Sequence, residues 1–419
     1  MLDIKFIREN KDLVAEAARK KRIDFKVADL LALDEERVKL LTEVETDRAR
    51  QNKMSDEIAT GGPDREAKIA EMRILKDELQ VKETKLKDLI KSWQALMVQV
   101  PNIPDASVPE GNDDSENLEI KTAGERPQFA FIPKTHIELM QNLKMVDFER
   151  GTKVAGFRGY FLKNEGLQLS FALWQYAFDL LREDGFIPAL VPSLVRPDAF
   201  FGTGYLPQGE EDLYKTQDGD YLAGTAEVAT MGYFMDEVFP LEHLPLKYAS
   251  FSPCFRREAG SHGKDTRGLI RLHEFYKVEQ VVICEGNHSA SVQAHEALLA
   301  NAEKLMQNLK IPYRVVVNCT GDLGLGQVKK YDIEAWVPAE NKYRETHSIS
   351  YFHDFQTRRL NLKYRDAEGK TRLAHSLNGT MVASPRILVP LLENYQQADG
   401  TVIIPEVLRP YLGGKEVIR

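Results

Sequence analysis

The chain has no long apolar run: nothing in it approaches the roughly 18 uninterrupted apolar residues of a membrane-crossing helix. Its start, MLDIKFIREN, lacks a cationic segment leading into an apolar one, so the expectation is an unprocessed, cytoplasmic protein. Cysteine is scarce. Cys254, Cys284 and Cys319 are far apart, odd in number and without CxxC spacing, which argues against a disulfide framework and against a zinc site. They are expected as buried, reduced thiols. Internal repeats and low-complexity tracts are also missing.

Nor is there a bulk excess of positive charge. The first 100 residues carry 21 Lys and Arg against 21 Asp and Glu, so the net charge of −8 falls entirely beyond them. A nucleic-acid partner would have to be held by local clusters such as Lys20, Lys21 and Arg22, or Lys82, Lys85, Lys87 and Lys91. Each cluster alone reads first as a solvated helix face. What is present is a chain of 419 residues, 43% hydrophobic, long enough for two domains and a sizeable core.

From Leu30, residues recur in steps of three and four: Leu30, Leu33, Arg37, Leu40, Val44, Asp47, Gln51, Met54, Ile58. After TGGPD the pattern restarts as Ile69, Met72, Lys76, Leu79, Glu83, Leu86, Ile90, Trp93, Met97, Val100. Two long helices joined at a Gly-Gly-Pro tip should fold back as an antiparallel coiled coil, with polar seam residues specifying register. The pattern alone fits a dimerisation or spacer element as well as a binding arm. The Pro-, Asp- and Asn-rich segment VPNIPDASVPEGNDDSEN then marks a linker, giving domains at 1–100 and 126–419 with residues 101–125 between them.

Beyond the linker, helical patterns alternate with short strands. QLSFALWQYAFDLLREDGF reads as an amphipathic helix, IPALVPSLV as a buried strand broken by prolines, and PRILVPLLENYQQ as a closing helix. Runs of strands with helices on one face predict an α+β class with a mainly antiparallel sheet. In FRREAGSHGKDTRGLIRLHEFYKVE, positions 271, 273, 275, 277 and 279 are Arg, His, Phe, Lys and Glu, whereas 270, 272, 276 and 278 are apolar or aromatic. One strand face is therefore charged, with Arg256 and Glu258 sharing a face on the incoming strand. An exposed hairpin would look similar, but the second strand runs into QVVIC, which predicts a central position in the sheet.

These residues resemble motif 2 of class II aminoacyl-tRNA synthetases, and specifically the seryl-tRNA synthetase family. GFIPALVPSLV is similar to motif 1, GTGYLP and GTAEV to that family's own signatures, and PRILVPLLENYQQADGTVIIPEVLRPY to motif 3 and the tail beyond it. With the N-terminal arm, the resemblance covers essentially the whole chain in order. It implies a seven-stranded antiparallel sheet binding ATP and serine, a coiled-coil arm reading the long variable arm of serine tRNA, and a homodimer with motif 1 at its interface. It also implies ATP and Mg2+ as cofactors, no zinc, no membrane partner, and tRNA(Ser) as acceptor with tRNA(Sec) kept open as a second one.

By motif position, the resemblance gives Arg256 the α-phosphate and the serine carboxylate, Glu258 the adenine amino group, and Arg271 the γ-phosphate. Phe275 and Arg386 would sandwich adenine. Glu345 and Ser348 would hold Mg2+, an oxygen-only set suited to a hard cation. Thr346 and His347 fall within the same ATP-binding stretch. Thr225, Ala226, Glu227 and Glu279, with Arg256 and Thr380, would form the serine pocket.

The match departs from the family at several points. Where members commonly continue from the acidic residue with a small residue and a serine pair, this chain reads ETHSISYFHDFQTRR, so Thr346, His347, Tyr351 and Phe352 are atypical. SPR at 384–386 lacks a frequent glycine, and TAEVATMGY lacks a frequent proline. Two other readings stay open from sequence: a synthetase-like paralogue loading a small amino acid onto a carrier protein, and a non-catalytic coiled-coil binding protein.

Overall fold

The computed structural model describes residues 1–61, 64–260, 263 and 265–419. The Gly62-Pro63 part of the expected hairpin tip, and Ser261, His262 and Lys264 of the loop between the two charged strands, lie outside the described residues. Two compact units result, residues 2–101 and residues 102–419 together with Met1.

In the first unit, two short helices, Ile4–Glu9 and Lys11–Lys20, precede α1 (Val27–Thr60, 34 residues) and α2 (Arg65–Met97, 33 residues). At 1.5 Å per residue each long helix is about 50 Å in length. They pack on one another through Leu40, Val44, Leu79, Leu86 and Leu89. The observed stripe agrees with the heptad reading at Leu30, Leu40, Val44, Met54, Leu79, Leu86 and Met97, with Leu33 and Ile90 packed against it half-buried, and it also runs through Asp34, Leu75 and Leu89. An α-helix turns every 3.6 residues, so a strict three-four alternation drifts around it and neighbouring positions such as Leu75 and Leu89 share the contact. Asp34 is fully buried and is held by Arg8 and by Arg37 at 2.8 Å.

The basic clusters read from sequence change character. Lys82 pairs with Asp47 at 2.8 Å and Lys85 with Glu36 at 2.9 Å across the helix pair, while Arg48 meets Glu83 at 2.7 Å. Such exposed pairs fix register more than they add stability. Lys21 is buried, and burial lowers its ammonium pKa to about 7, so it is not a surface cation.

The framework of the second unit is one sheet of eight strands: β1 (Leu118–Ala123), β2 (Ile187–Leu190), β3 (Leu246–Phe255), β4 (Glu274–Cys284), β5 (Tyr313–Val317), β6 (Lys329–Val337), β7 (Lys342–Tyr351) and β8 (His375–Ser384). Their spatial order is β1-β5-β6-β7-β8-β4-β3-β2. The expected seven-stranded antiparallel sheet is thus exceeded in two ways. Residues 118–123, placed in the linker by composition, pair with β5 as an edge strand, and β2 pairs with β3 in parallel. β2 is also not the buried strand its apolar sequence suggested, since it has a neighbour on one side only and leaves Ile187 50% and Leu190 80% exposed.

Helices α3 (Asn164–Glu183), α4 (Ala226–Tyr233), α5 (His288–Asn308) and α6 (Leu388–Tyr395) cover the sheet. β4 shows how its faces are divided. Val278, Val282 and Cys284 enter the main core with α3, α5 and α6, and the Gln280 side chain donates to the Leu298 carbonyl of α5. Val281 and Ile283 point the other way, against Met231 of α4 and Phe234. Phe275, Lys277 and Glu279 continue that second face, but there they meet a cavity instead of apolar cover. β4 is therefore central, lying between β8 and β3, as its run into QVVIC predicted. Among the described residues no helix is long and apolar enough to cross a membrane.

Candidate active site

A cavity of about 320 Å³ opens on this face of the sheet. Of the residues singled out from sequence, Thr225, Glu227, Arg256, Glu258, Phe275, Glu279, Glu345, Thr346, Ser348, Thr380 and Arg386 line it. They come from β4, β7 and β8, from the start of α4 and from the segments just past β3 and β8. Arg256 and Glu258, expected on the incoming strand, lie beyond its end at Phe255, and Glu258 has a left-handed φ of 56°.

Local sequence explains how each wall is made. Thr225 caps α4, its hydroxyl accepting from the Glu227 amide at 3.3 Å, which turns Glu227 inward in the first helical turn. Glu227 is 4% exposed and receives Gln356 Nε2 at 2.6 Å and the Tyr205 hydroxyl at 3.1 Å. Glu279 is 2% exposed and forms an ion pair with Lys277 two residues back on the same face, with the Thr380 hydroxyl also donating to the carboxylate. The Lys277 ammonium meets Glu279 Oε2, so one oxygen of the carboxylate faces a cation. Burial pushes both carboxyl pKa values up. This end of the cavity holds two buried acids and two threonine hydroxyls, a set matched to a small ligand bearing an ammonium and a hydroxyl.

The other end carries the cations. The Arg256 guanidinium donates through Nε to the Gly224 carbonyl at 3.3 Å and lies 5.2 Å from the Phe275 ring centroid. Arg386 donates through Nε to the Ile270 carbonyl at 2.8 Å, with Nη1 3.6 Å from Glu345 Oε1. The cation over the Phe275 ring is thus Arg256, and Arg386 stands on the cavity wall beside Glu345.

Two β-bulges set the geometry between these ends. In the β6–β7 pair, Ile333 faces His347 but Glu334 faces Glu345, leaving Thr346 as the extra residue. Glu345 thereby joins Ser348 on the cavity side, although they are three positions apart. In the β4–β8 pair Met381 is the extra residue, and Ala383 joins Thr380 on the cavity side in the same way.

Three of the expected site residues are not on the cavity wall. β4 begins at Glu274, so Arg271 does not follow the strand alternation, and its side chain turns to Glu258, with Asp265 3.9 Å from Nε. Ala226 is fully buried in the first turn of α4. His347 is buried with Nε2 3.1 Å from the Met381 carbonyl and Nδ1 2.8 Å from Thr346 Oγ1, so its ring is spent on the protein itself. Burial lowers its pKa to about 4, which keeps the imidazole neutral.

The sequence reading missed Asn378, Tyr205, Gln327 and Gln356, which complete or support the cavity. Lys277 was signalled by its place between Phe275 and Glu279 on one strand face and Tyr205 by its place in GTGYLP; the amides carry no local signal, since only the fold brings them in.

For a divalent cation the donor set is oxygen only: the Glu345 carboxylate and the Ser348 hydroxyl face the cavity, and Asp332 stands across the ladder from Ser348 with a buried Oδ1 that has no donor. Among the described residues no group of three or more His, Cys, Asp or Glu side chains could hold a metal by itself. Two protein oxygens fit a Mg2+ that takes its remaining ligands from phosphates and water.

The matches to other proteins agree with this geometry. Residues 1–104 match the seryl-tRNA synthetase N-terminal domain, and residues 214–395 match the tRNA synthetase class II core domain (G, H, P, S and T). The serine–tRNA ligase of Deinococcus radiodurans is 47% identical, the match covering 100% of this chain and 99% of that protein. The chain belongs to the seryl-tRNA synthetase family. It is accordingly an enzyme, a class II ligase. The serine–tRNA ligase of Thermodesulfovibrio yellowstonii is 45% identical over 99% of each chain. Among solved structures, the seryl-tRNA synthetase from Pyrococcus horikoshii complexed with ATP superposes with a TM-score of 0.92 at 40% identity, covering 100% of this chain and 99% of that one. The cytoplasmic enzyme from Naegleria fowleri in complex with AMP gives 0.89 at 32% identity, covering 100% and 99%.

Proposed function

We propose that this family member activates L-serine with ATP and transfers it to the 3′ end of tRNA(Ser). In the first step a serine carboxylate oxygen bonds to the α-phosphorus, the bond to the β-phosphate oxygen breaks and pyrophosphate leaves. In the second, a ribose hydroxyl of the terminal adenosine bonds to the seryl carbonyl carbon, giving up its proton as AMP departs. Neither step needs a protein nucleophile. The residues act by holding the reactants in line and by placing cations where phosphate charge builds up.

The observation that carries this reading is the division of the cavity, with buried Glu227, Glu279 and Thr380 at one end and Arg256, Arg386, Phe275 and Glu345 at the other. In this reading Glu279 and Glu227, helped by Thr225 and Thr380, receive serine's ammonium and hydroxyl. A site built to hydrogen-bond a hydroxyl rejects alanine and glycine, because its buried partners would be stranded, and its small volume rejects threonine less strongly. Arg256 bridges the serine carboxylate and the α-phosphate, Glu258 accepts from the adenine amino group, Phe275 and Arg386 sandwich the adenine ring, and Arg271 lies near the γ-phosphate. Glu345 and Ser348 would hold Mg2+, which supplies charge neutralisation at the phosphate oxygens.

Residues 1–100 act in this proposal as the tRNA-reading arm, 101–125 as the connection and 126–419 as the catalytic domain, in a cytoplasmic homodimer. Exposed Phe171, Ile187, Leu190 and Leu194 around the motif 1 segment support the dimer. Serine-dependent exchange of pyrophosphate into ATP, with alanine, glycine and threonine as comparators, tests the activation step. Charging of tRNA(Ser) and tRNA(Sec), with and without residues 28–100, tests acceptor and arm. Serine-dependent exchange without tRNA charging would favour loading of a carrier protein, and charging that survives arm deletion would remove the arm's role.

A further inference from the structure

β7 and β8 are neighbours in the sheet, yet their ladder is short. It pairs Tyr351 with Leu377, Ser350 with Asn378 and Ile349 with Gly379, and then stops. Beyond that point β7 bulges at Thr346 and β8 bulges at Met381, and the two strands carry on without backbone pairing to each other. Between the two bulges the gap is crossed by His347 of β7, whose Nε2 lies 3.1 Å from the carbonyl of Met381, the extra residue of the β8 bulge; at the open end Arg386, beyond β8, also donates to the Glu345 carbonyl at 3.4 Å. A carbonyl only accepts, so Nε2 carries the proton. The ring's other nitrogen is fixed by the Thr346 hydroxyl at 2.8 Å, and that oxygen also lies 3.2 Å from the Ile333 carbonyl of β6. A buried imidazole is thus tied at both nitrogens, to the extra residue of one bulge and to that of the other.

The residues on either side of this gap divide by substrate. Glu345 and Ser348 stand on the β7 side; Phe275, Arg256 and Arg386 stand on the β8 side. The ATP and cation site of the proposed function therefore straddles the gap. Thr225, Glu227, Glu279 and Thr380 all belong to elements on the β8 side, so the serine pocket does not straddle it.

We propose that His347 is a positioning residue, a strut that replaces the missing β7–β8 ladder bond and sets Glu345 and Ser348 at their working distance from Arg386. It touches no substrate itself. The proposal rests on the reading of the cavity as an ATP and serine site, and its test separates the two.

Pyrophosphate exchange is measured on the full-length parent, H347L and H347Q, titrating ATP and serine independently. H347L fills the space but cannot donate to Met381, and its KM for ATP should rise about tenfold, the size expected when a buried carbonyl loses its donor. Its KM for serine should stay within about twofold. The amide of H347Q can reach the Met381 carbonyl and should restore most of the ATP KM. Equal rises for both substrates, an unchanged ATP KM in H347L, or no rescue by H347Q would each overturn the strut. Should H347L not fold, H347N makes the same comparison with H347Q, since its shorter amide reaches Thr346 but not Met381. If the parent shows no serine-dependent exchange, the functional reading fails instead. Hydrogen exchange then decides the strut alone: amides 345–348 should exchange faster in H347L than in H347Q while 349–351 stay protected, and equal rates would overturn it.

Discussion

Replacing Glu279 by glutamine keeps the shape of the side chain and removes its charge. Glu279 is 2% exposed, stands on the cavity wall and meets the Lys277 ammonium through Oε2. Two effects follow from that geometry. A charge-assisted hydrogen bond to serine is lost, worth about 1.5–3 kcal/mol, which corresponds to roughly a 10- to 150-fold rise in the KM for serine. Lys277, itself 5% exposed, is left without its buried counter-ion, which costs about 3–5 kcal/mol of stability and should lower Tm by several degrees. The ATP-binding groups stand at the other end of the cavity, so the KM for ATP should change by no more than about twofold. Exchange assays with each substrate varied at saturating concentration of the other separate these effects, and a thermal melt reads the second. The double variant K277M/E279Q removes the stranded cation and should recover part of the Tm without recovering serine binding. A serine KM within threefold of the parent, or an ATP KM that climbs in step, would refute the placement of serine against Glu279.

Three further outcomes are expected. Lys21 has its folded-state pKa lowered to about 7 from 10.5, so the unfolded chain binds the extra proton between those values and the parent gains stability as pH rises across that window. Denaturant melts should show K21M more stable than the parent near pH 7, with the advantage shrinking towards pH 10.5; a constant difference would refute the burial penalty. Glu227 has its carboxyl raised by burial, so the parent should lose stability relative to E227Q as pH climbs upward from the ordinary carboxylate value of 4.5, and parallel pH profiles would count against that. L86A removes a side chain from the contact between α1 and α2 and should destabilise that helix pair by about 2 kcal/mol, the low end for a Leu at this exposure. Its tRNA charging KM should rise while serine-dependent exchange stays at the parent rate, and a fall in exchange would show the pair matters to the cavity.

Much of the cavity could be read from one short stretch, because strand periodicity places alternate residues on one face whatever the fold around them. Phe275, Lys277 and Glu279 obey that rule, and the apolar run after them marks β4 as central. The rule gave out where the strand did. Arg271 and His273 lie before β4 begins at Glu274, and Arg271 turned to Glu258 rather than into the cavity. The apolar segment at 187–195 looked buried because hydrophobicity does not say whether a strand has one neighbour or two. Residues 118–123 looked like linker because their composition carries no trace of the β5 edge they pair with.

By itself the sequence determined the α+β class, the two long helices, the central charged strand and, through ordered motifs, the family. Those properties are local or additive along the chain: side-chain periodicity, helix breakers, and short stretches whose identity survives out of context. Only the tertiary structure decided which side chains reach the cavity. A bulge shifts every residue beyond it to the opposite face, and bulges at Thr346 and Met381 arise from how β7 and β8 pair with their neighbours. That pairing brought Glu345 in beside Ser348, while His347 follows plain alternation with Ile349 and Tyr351 onto the core face, away from the cavity. No spacing rule within residues 342–351 contains the shift at Thr346, because the partners that fix it, Ile333 and Glu334, lie on another strand of the sheet.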